Sequence, residues 1–105
     1  MAGTGHFDAV AGQSITQVGA VGYLDLGQFL GRFGLRATWL EANKRLKFES
    51  AWTQIEFEVD SREILYNDRR VFLGDGILLR DAKVLVGRWD AQNLLAPLLN
   101  PAAFM

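Results

Sequence analysis

Residues 45–58 read Arg-Leu-Lys-Phe-Glu-Ser-Ala-Trp-Thr-Gln-Ile-Glu-Phe-Glu, and their alternation decides the fold class. A two-residue turn at Ala51-Trp52 sets Ser50 against Thr53, Glu49 against Gln54 and Phe48 against Ile55. The same register sets Lys47 against Glu56, Leu46 against Phe57 and Arg45 against Glu58. Leu46, Phe48, Ile55 and Phe57 then share one apolar face, and the other carries the opposite-charge pairs Lys47–Glu56 and Arg45–Glu58. Strand side chains alternate with period two, so a one-residue slip would invert both faces. Burial and charge agree on a single hairpin.

Further strands flank it. Glu63–Tyr66 and Arg70–Leu73 surround Asn67-Asp68, residues that tolerate the positive φ of a type I′ turn. Pairing Tyr66 with Arg69 sets Ile64 against Val71 on the inner face and sends Leu65, Arg70 and Phe72 to the other. Upstream, Arg36–Leu40 has strand composition, with Trp39 expected in the core beside Ala37.

Toward the N-terminus the period changes. Leu26, Phe29, Leu30 and Phe33 fall at i, i+3, i+4 and i+7, one apolar stripe at helical spacing. Asp25 stands where an N-cap carboxylate accepts from unpaired backbone N–H groups, and Gly34 where a left-handed C-cap belongs. Gly27 and Gly31 inside this helix imply close approach of another element, since each otherwise costs about 1 kcal/mol relative to Ala. Before it, Ser14–Val18 and Val21–Leu24 read as short strands about a Gly19-Ala20 turn. Residues 1–13, with Gly3, Gly5 and Gly12, read as a flexible leader ahead of a single domain spanning 14–105.

The C-terminal third echoes this arrangement. Ile77–Leu79 and Lys83–Val86 read as strands after a Gly74-Asp75-Gly76 turn. Ala91, Leu94, Leu95 and Leu98 repeat the helical stripe at an offset of 65 (Leu26 to Ala91), with Asp90 in the place of Asp25. Pro97 should kink or shorten that second helix. The expected fold is α+β: an antiparallel twisted β-sheet of about five or more strands around one central helix, with a second short C-terminal helix and duplicated halves.

Composition narrows the function. A chain of 105 residues makes one domain, and 50% hydrophobic with 22% charged residues is the balance of a folded globule. A net charge of −1 gives no electrostatic footprint for nucleic acid. No apolar run reaches the roughly 18–20 residues of a membrane span, and the first residues lack the basic and apolar regions of a signal peptide.

Cysteine is absent, which excludes thiol chemistry, and the single histidine, His6, lies in the leader, which argues against a Ser-His-Asp triad. Glu56 and Glu58 share a strand face but read as a solvated charge ladder, each with a basic cross-strand partner. Asp75, Asp81 and Asp90 lack the dense spacing of a calcium loop, and Gly74-Asp75-Gly76 lacks that of a phosphate loop. No catalytic, cofactor-binding or metal-binding residue is assigned. Trp39, Trp52 and Trp89 are the residues able to stack on sugars or bases. Trp52 at a hairpin tip, with Leu65 and Phe72 on the outward face of the next hairpin, forms the candidate partner surface.

Motifs spread over residues 14–100 carry a resemblance. They are Tyr23-Leu24-Asp25-Leu26 with Phe29-Leu30, Phe33-Gly34-Leu35 and Trp39, then Lys47-Phe48-Glu49 and Ile55-Glu56-Phe57. Ile64-Leu65-Tyr66-Asn67-Asp68-Arg69-Arg70-Val71 and Lys83-Val84-Leu85-Val86 through Asp90 and Leu94 continue the series. Together they resemble the copper amine oxidase N-terminal-like domain, a stalk or accessory module. Asp68 stands where that family's hairpin usually has Gly. The ending Leu94-Leu95-Ala96-Pro97-Leu98-Leu99-Asn100-Pro101 looks like the variant that precedes N-acetylmuramoyl-L-alanine amidase domains.

The resemblance implies a non-catalytic domain of a secreted bacterial envelope hydrolase, outside the cytoplasm, without copper ligands or another cofactor of its own. Zinc ligands and catalytic acid would belong to a separate amidase domain. Expected partners are the adjacent domain of the parent protein, peptidoglycan, or a second copy in a homodimer, and not nucleic acid. The alternative is a protein-interaction or dimerisation module without a glycan role.

Overall fold

A computed structural model describes residues 9–100. These form nine strands: β1 (Thr16–Val18), β2 (Val21–Asp25), β3 (Arg36–Glu41), β4 (Arg45–Glu49), β5 (Gln54–Glu58), β6 (Glu63–Tyr66), β7 (Arg69–Phe72), β8 (Leu78–Arg80) and β9 (Lys83–Gly87). Helix α1 (Leu26–Gly31) follows β2. After β9, α2 (Arg88–Asp90), a π-helical turn (Ala91–Leu95) and α3 (Ala96–Leu99) run on from one another.

The architecture is α+β and its strand pairings are antiparallel, but the strands divide into two sheets rather than one. The five-stranded sheet is a meander in the order β3-β4-β5-β6-β7, and the four-stranded sheet has the order β1-β2-β9-β8. In the meander, β4 pairs with β5 in the register that burial and charge dictate, from Arg45 opposite Glu58 to Glu49 opposite Gln54. The Ser50 amide closes the turn on the Thr53 carbonyl at 2.9 Å. Strands β6 and β7 pair Ile64 with Val71 and Tyr66 with Arg69, and Asn67 and Asp68 take φ of 48° and 67°. Leu46, Phe48, Ile55, Phe57 and Ile64 are all buried on the inner face, with Phe48 and Phe57 meeting edge to face at 5.8 Å.

The duplication resides in the other sheet. Strands β1 and β2 pair Thr16 with Tyr23 and Val18 with Val21; β8 and β9 pair Leu78 with Leu85 and Arg80 with Lys83. A constant offset of 62 residues (Thr16 to Leu78, Val21 to Lys83) carries one hairpin onto the other. The hairpins join through β2 and β9, where Leu24 lies opposite Val86. The 65-residue repeat of the apolar stripe is therefore out of step with the backbone repeat by three residues, nearly one helical turn. The C-terminal helical segment starts at Arg88, so Asp90 lies inside it and is not its N-cap.

No one helix is central. Phe29 and Leu30 of α1, Leu95 and Ala96 of the C-terminal segment, and the inner face of the meander all belong to one buried cluster. Asp25 caps α1 by accepting from the Gln28 amide at 3.1 Å. Gly34, at φ 80°, ends the turn that follows, with the Leu35 amide reaching back to the Leu30 carbonyl at 3.2 Å. Pro97, which has no N–H to give, sits in the first turn of α3 directly after the wide π turn. The helical segment continues through it.

Other expectations are corrected. Trp39 lies opposite Leu46 on the inner face yet is 40% exposed, because β3 is the outermost strand and all six of its residues are exposed. Among the described residues, no atom of another element lies within 4 Å of where a Gly31 Cβ would stand, and Gly27 meets Asp25 Oδ1 at 3.3 Å, so neither glycine accommodates a described neighbouring element. Residues 1–8 of the predicted leader, His6 included, lie outside the described residues, as do 101–105. The rest of that leader is not detached: Ala9 and Val10 are buried in the core, the Ala9 amide donates to Gln92 Oε1 at 2.7 Å, and Arg32 donates to the Ala11 carbonyl at 2.9 Å.

Candidate functional site

Trp89 stands at the start of the C-terminal helical segment, and the fold builds a groove beside it. Its volume is about 640 Å³. Arg88 and Trp89 come from α2, Gln92 and Asn93 from the π turn, Asp75 from the β7–β8 connection, and Gln17, Val21 and Gly22 from the β1–β2 hairpin, with Val10 and Ile15 completing the lining. Trp89 is 63% exposed, so its indole is accessible. An accessible indole, a guanidinium, a carboxylate and side-chain amides on an apolar base match the needs of a hydroxyl-rich ligand with apolar ring faces.

Buried Asp90 shapes this groove. Its Oδ1 accepts from the Gly74 amide at 2.8 Å and its Oδ2 from the Asp75 amide at 3.1 Å, which ties the β7–β8 connection to the start of the helical segment. A buried carboxylate is tolerated because charge-assisted bonds from backbone N–H groups replace water. Gly87 packs closely against these carboxylates. A Cβ there would stand 3.1 Å from Asp90 Oδ2 and 3.4 Å from Asp75 Oδ2. Burial raises the pKa of the neighbouring Tyr23 phenol above 10.0, and the Asp75 and Asp90 charges add to the effect while Arg80 opposes it. Asn93 Nδ2 donates to the Trp89 carbonyl at 3.1 Å, bracing the first turn that carries the indole.

Of the residues singled out from sequence, Leu65 and Phe72 share one face as expected, and Trp52 stands apart from them. Trp52 is 89% exposed at the β4–β5 tip, and with Asn67 and Asp68 of the adjacent turn it lines a shallow hollow of about 190 Å³. Phe72 is 59% exposed and stands opposite Glu63, at the far end of the β6–β7 hairpin from that turn. Leu65 shares the outer face with Phe72 and is half-buried. Between them the Arg70 and Glu63 side chains meet at 3.5 Å across the other diagonal. An ion pair thus divides the expected patch.

The charge ladder is also rearranged. Lys47 meets Glu49 of its own strand at 3.7 Å and Arg45 meets Glu41 at 3.6 Å, although Glu56 and Glu58 stand opposite them. Among the described residues, no group of three or more His, Asp or Glu side chains converges as a metal site would require. No described helix is long and apolar enough to cross a membrane. Sequence reasoning missed Asp75, Arg88, Gln17, Gln92 and Asn93, whose convergence depends on β2 pairing with β9 some sixty residues away. The one local signal was Trp89, a large aromatic directly before the stripe. Neither a protein-family model nor a curated protein sequence matches the chain.

Proposed function

We propose that this chain is a non-catalytic accessory domain of a larger bacterial envelope protein, a cell-wall N-acetylmuramoyl-L-alanine amidase, and that it engages the wall glycan through the Trp89 groove. The groove carries the proposal: an exposed indole beside Arg88, Asp75 and the amides of Gln92 and Asn93 offers a stacking surface with polar groups at its rim. The parent context rests on the resemblance of residues 14–100 to the copper amine oxidase N-terminal-like domain. It places the domain outside the cytoplasm and next to a catalytic domain that supplies the hydrolytic chemistry.

The division of labour follows from composition. The chain has no cysteine, and its one histidine falls in the Gly-rich opening residues, which supports a reading without thiol or Ser-His-Asp chemistry in this domain and with wall hydrolysis left to another. The reading requires no copper or other cofactor here. Co-sedimentation of the purified chain with insoluble peptidoglycan tests it. The expected result is retention in the pellet, released by soluble wall fragments and lost in Trp89→Ala. Complete recovery in the supernatant would contradict it.

A further inference from the structure

We infer that the chain self-associates through β3, with a second copy adding its own β3 antiparallel to the first and joining the two meanders into one continuous ten-stranded sheet. No described strand pairs with the outer edge of β3, which leaves its backbone N–H and C=O groups available to a new strand. All six of its residues are exposed, Trp39 and Leu40 at 40% and 43% among them.

The side chains of β3 are complementary to their own two-fold image. Against β4, Trp39 is opposite Leu46 and Glu41 is opposite Arg45, so Leu40 and Glu41 together occupy one step of the ladder as a bulge. That extra residue returns Glu41 to the outer face, which Arg36 and Thr38 also share, opposite Glu49 and Lys47. Ala37 and Trp39 stand on the inner face. A two-fold axis through Thr38 then sets Arg36 against the partner's Glu41 at both ends of the seam. It sets Ala37 against the partner's Trp39, a small side chain against a large one, and Thr38 against the partner's Thr38. Opposite-charge pairs, aromatic contacts and Thr–Thr contacts are all favourable across antiparallel strands.

The other edges do not offer this. Strands β1 and β8 have three residues each, and the four residues of β7 include Arg69 and Arg70 with no acidic residue in the strand to oppose them. Among the described edge strands, β3 alone is both long enough and self-complementary in charge.

Sedimentation equilibrium of the full chain at tens to hundreds of micromolar is the test. The expected result is a monomer–dimer equilibrium at twice the 11.7 kDa monomer mass. Thr38→Lys places like charges face to face on the axis and should weaken the dimer about tenfold or more, and Arg36→Glu should do the same by opposing the partner's Glu41. The double swap Arg36→Glu/Glu41→Arg should recover association. Leu65→Lys/Phe72→Lys, on the outer face of the β6–β7 hairpin, should leave it unchanged. As an independent readout, those β3 backbone amides in the unsubstituted chain that point away from β4 should gain hydrogen-exchange protection as concentration rises. A chain monomeric throughout, a dimer indifferent to both single variants, a dimer lost in the Leu65/Phe72 variant, or outward-pointing β3 amides whose protection ignores concentration would each overturn the inference.

Discussion

Leu24 of β2 stands directly opposite Val86 of β9, and both side chains are fully buried. This pair marks the axis about which one strand–helix half of the domain maps onto the other, since the 62-residue offset carries Leu24 to Val86 itself. Leu24→Ala should cost about 2–5 kcal/mol. Combined with Val86→Ala it should cost less than the two changes made separately, because both enlarge one cavity, with a coupling of about 0.5–3 kcal/mol. Urea denaturation of the four species measures this; strict additivity would place the residues in separate environments.

Phe29→Ala tests whether α1 belongs to the shared core. Phe29 is fully buried and meets Phe33 edge to face at 5.3 Å. The expected loss is about 3–5 kcal/mol, a large part of the ~5–15 kcal/mol that stabilises a domain. Thermal unfolding within a degree or two of the parent would remove α1 from the core.

Two small residues should respond in opposite directions. Ala82 holds φ 65° in the β8–β9 turn, a conformation that costs an L-residue about 1–2 kcal/mol and glycine far less. Ala82→Gly should therefore raise stability by about 0.5–1 kcal/mol after the entropy of the unfolded glycine is deducted. Gly87→Ala should lower it, since the added Cβ meets Asp90 Oδ2 at 3.1 Å. In chemical denaturation, a loss of stability in Ala82→Gly would refute the first reading, and an unchanged or raised stability in Gly87→Ala the second.

Tyr23 predicts an alkaline weakness. Burial first, then the Asp75 and Asp90 carboxylates, hold its phenol above the ordinary 10.0 in the folded chain. Folding thus favours the neutral phenol. Its contribution is whole below pH 10.0 and is lost as pH rises through the raised value. Tyr23→Phe should make the fall in stability above pH 10.0 shallower. Parallel alkaline profiles of parent and variant would show that the phenol does not ionise with unfolding.

The sequence-readable part of this fold is local. Period-two alternation and charge placed Lys47 opposite Glu56 and Ile64 opposite Val71, because neighbouring strands joined by two-residue turns leave one register that buries an apolar face. Which strands meet across sixty residues was not legible. Val84, Leu85 and Val86 are all buried, a continuous apolar run that marks a central strand without naming its neighbours. The position of Asp90 before Ala91 suggests a cap, but its carboxylate serves the Gly74 and Asp75 amides, which only tertiary packing brings within reach. Trp39 has an inward position by alternation and remains exposed because no described strand pairs with the outer edge of its sheet. The groove inherits the same limit: Trp89 is visible in the sequence, and its polar companions arrive from three separate segments.

The central claim, that the Trp89 groove binds wall glycan, is tested most directly by titrating the isotope-labelled chain with soluble peptidoglycan fragments and following the nuclear magnetic resonance signals of its three tryptophan indoles. The Trp89 indole and the side-chain amides of Gln92 and Asn93 should shift together and saturably, while the Trp39 and Trp52 indoles stay in place. Shifts centred on Trp52 or Trp39, or a spectrum unmoved at saturating fragment, would contradict it.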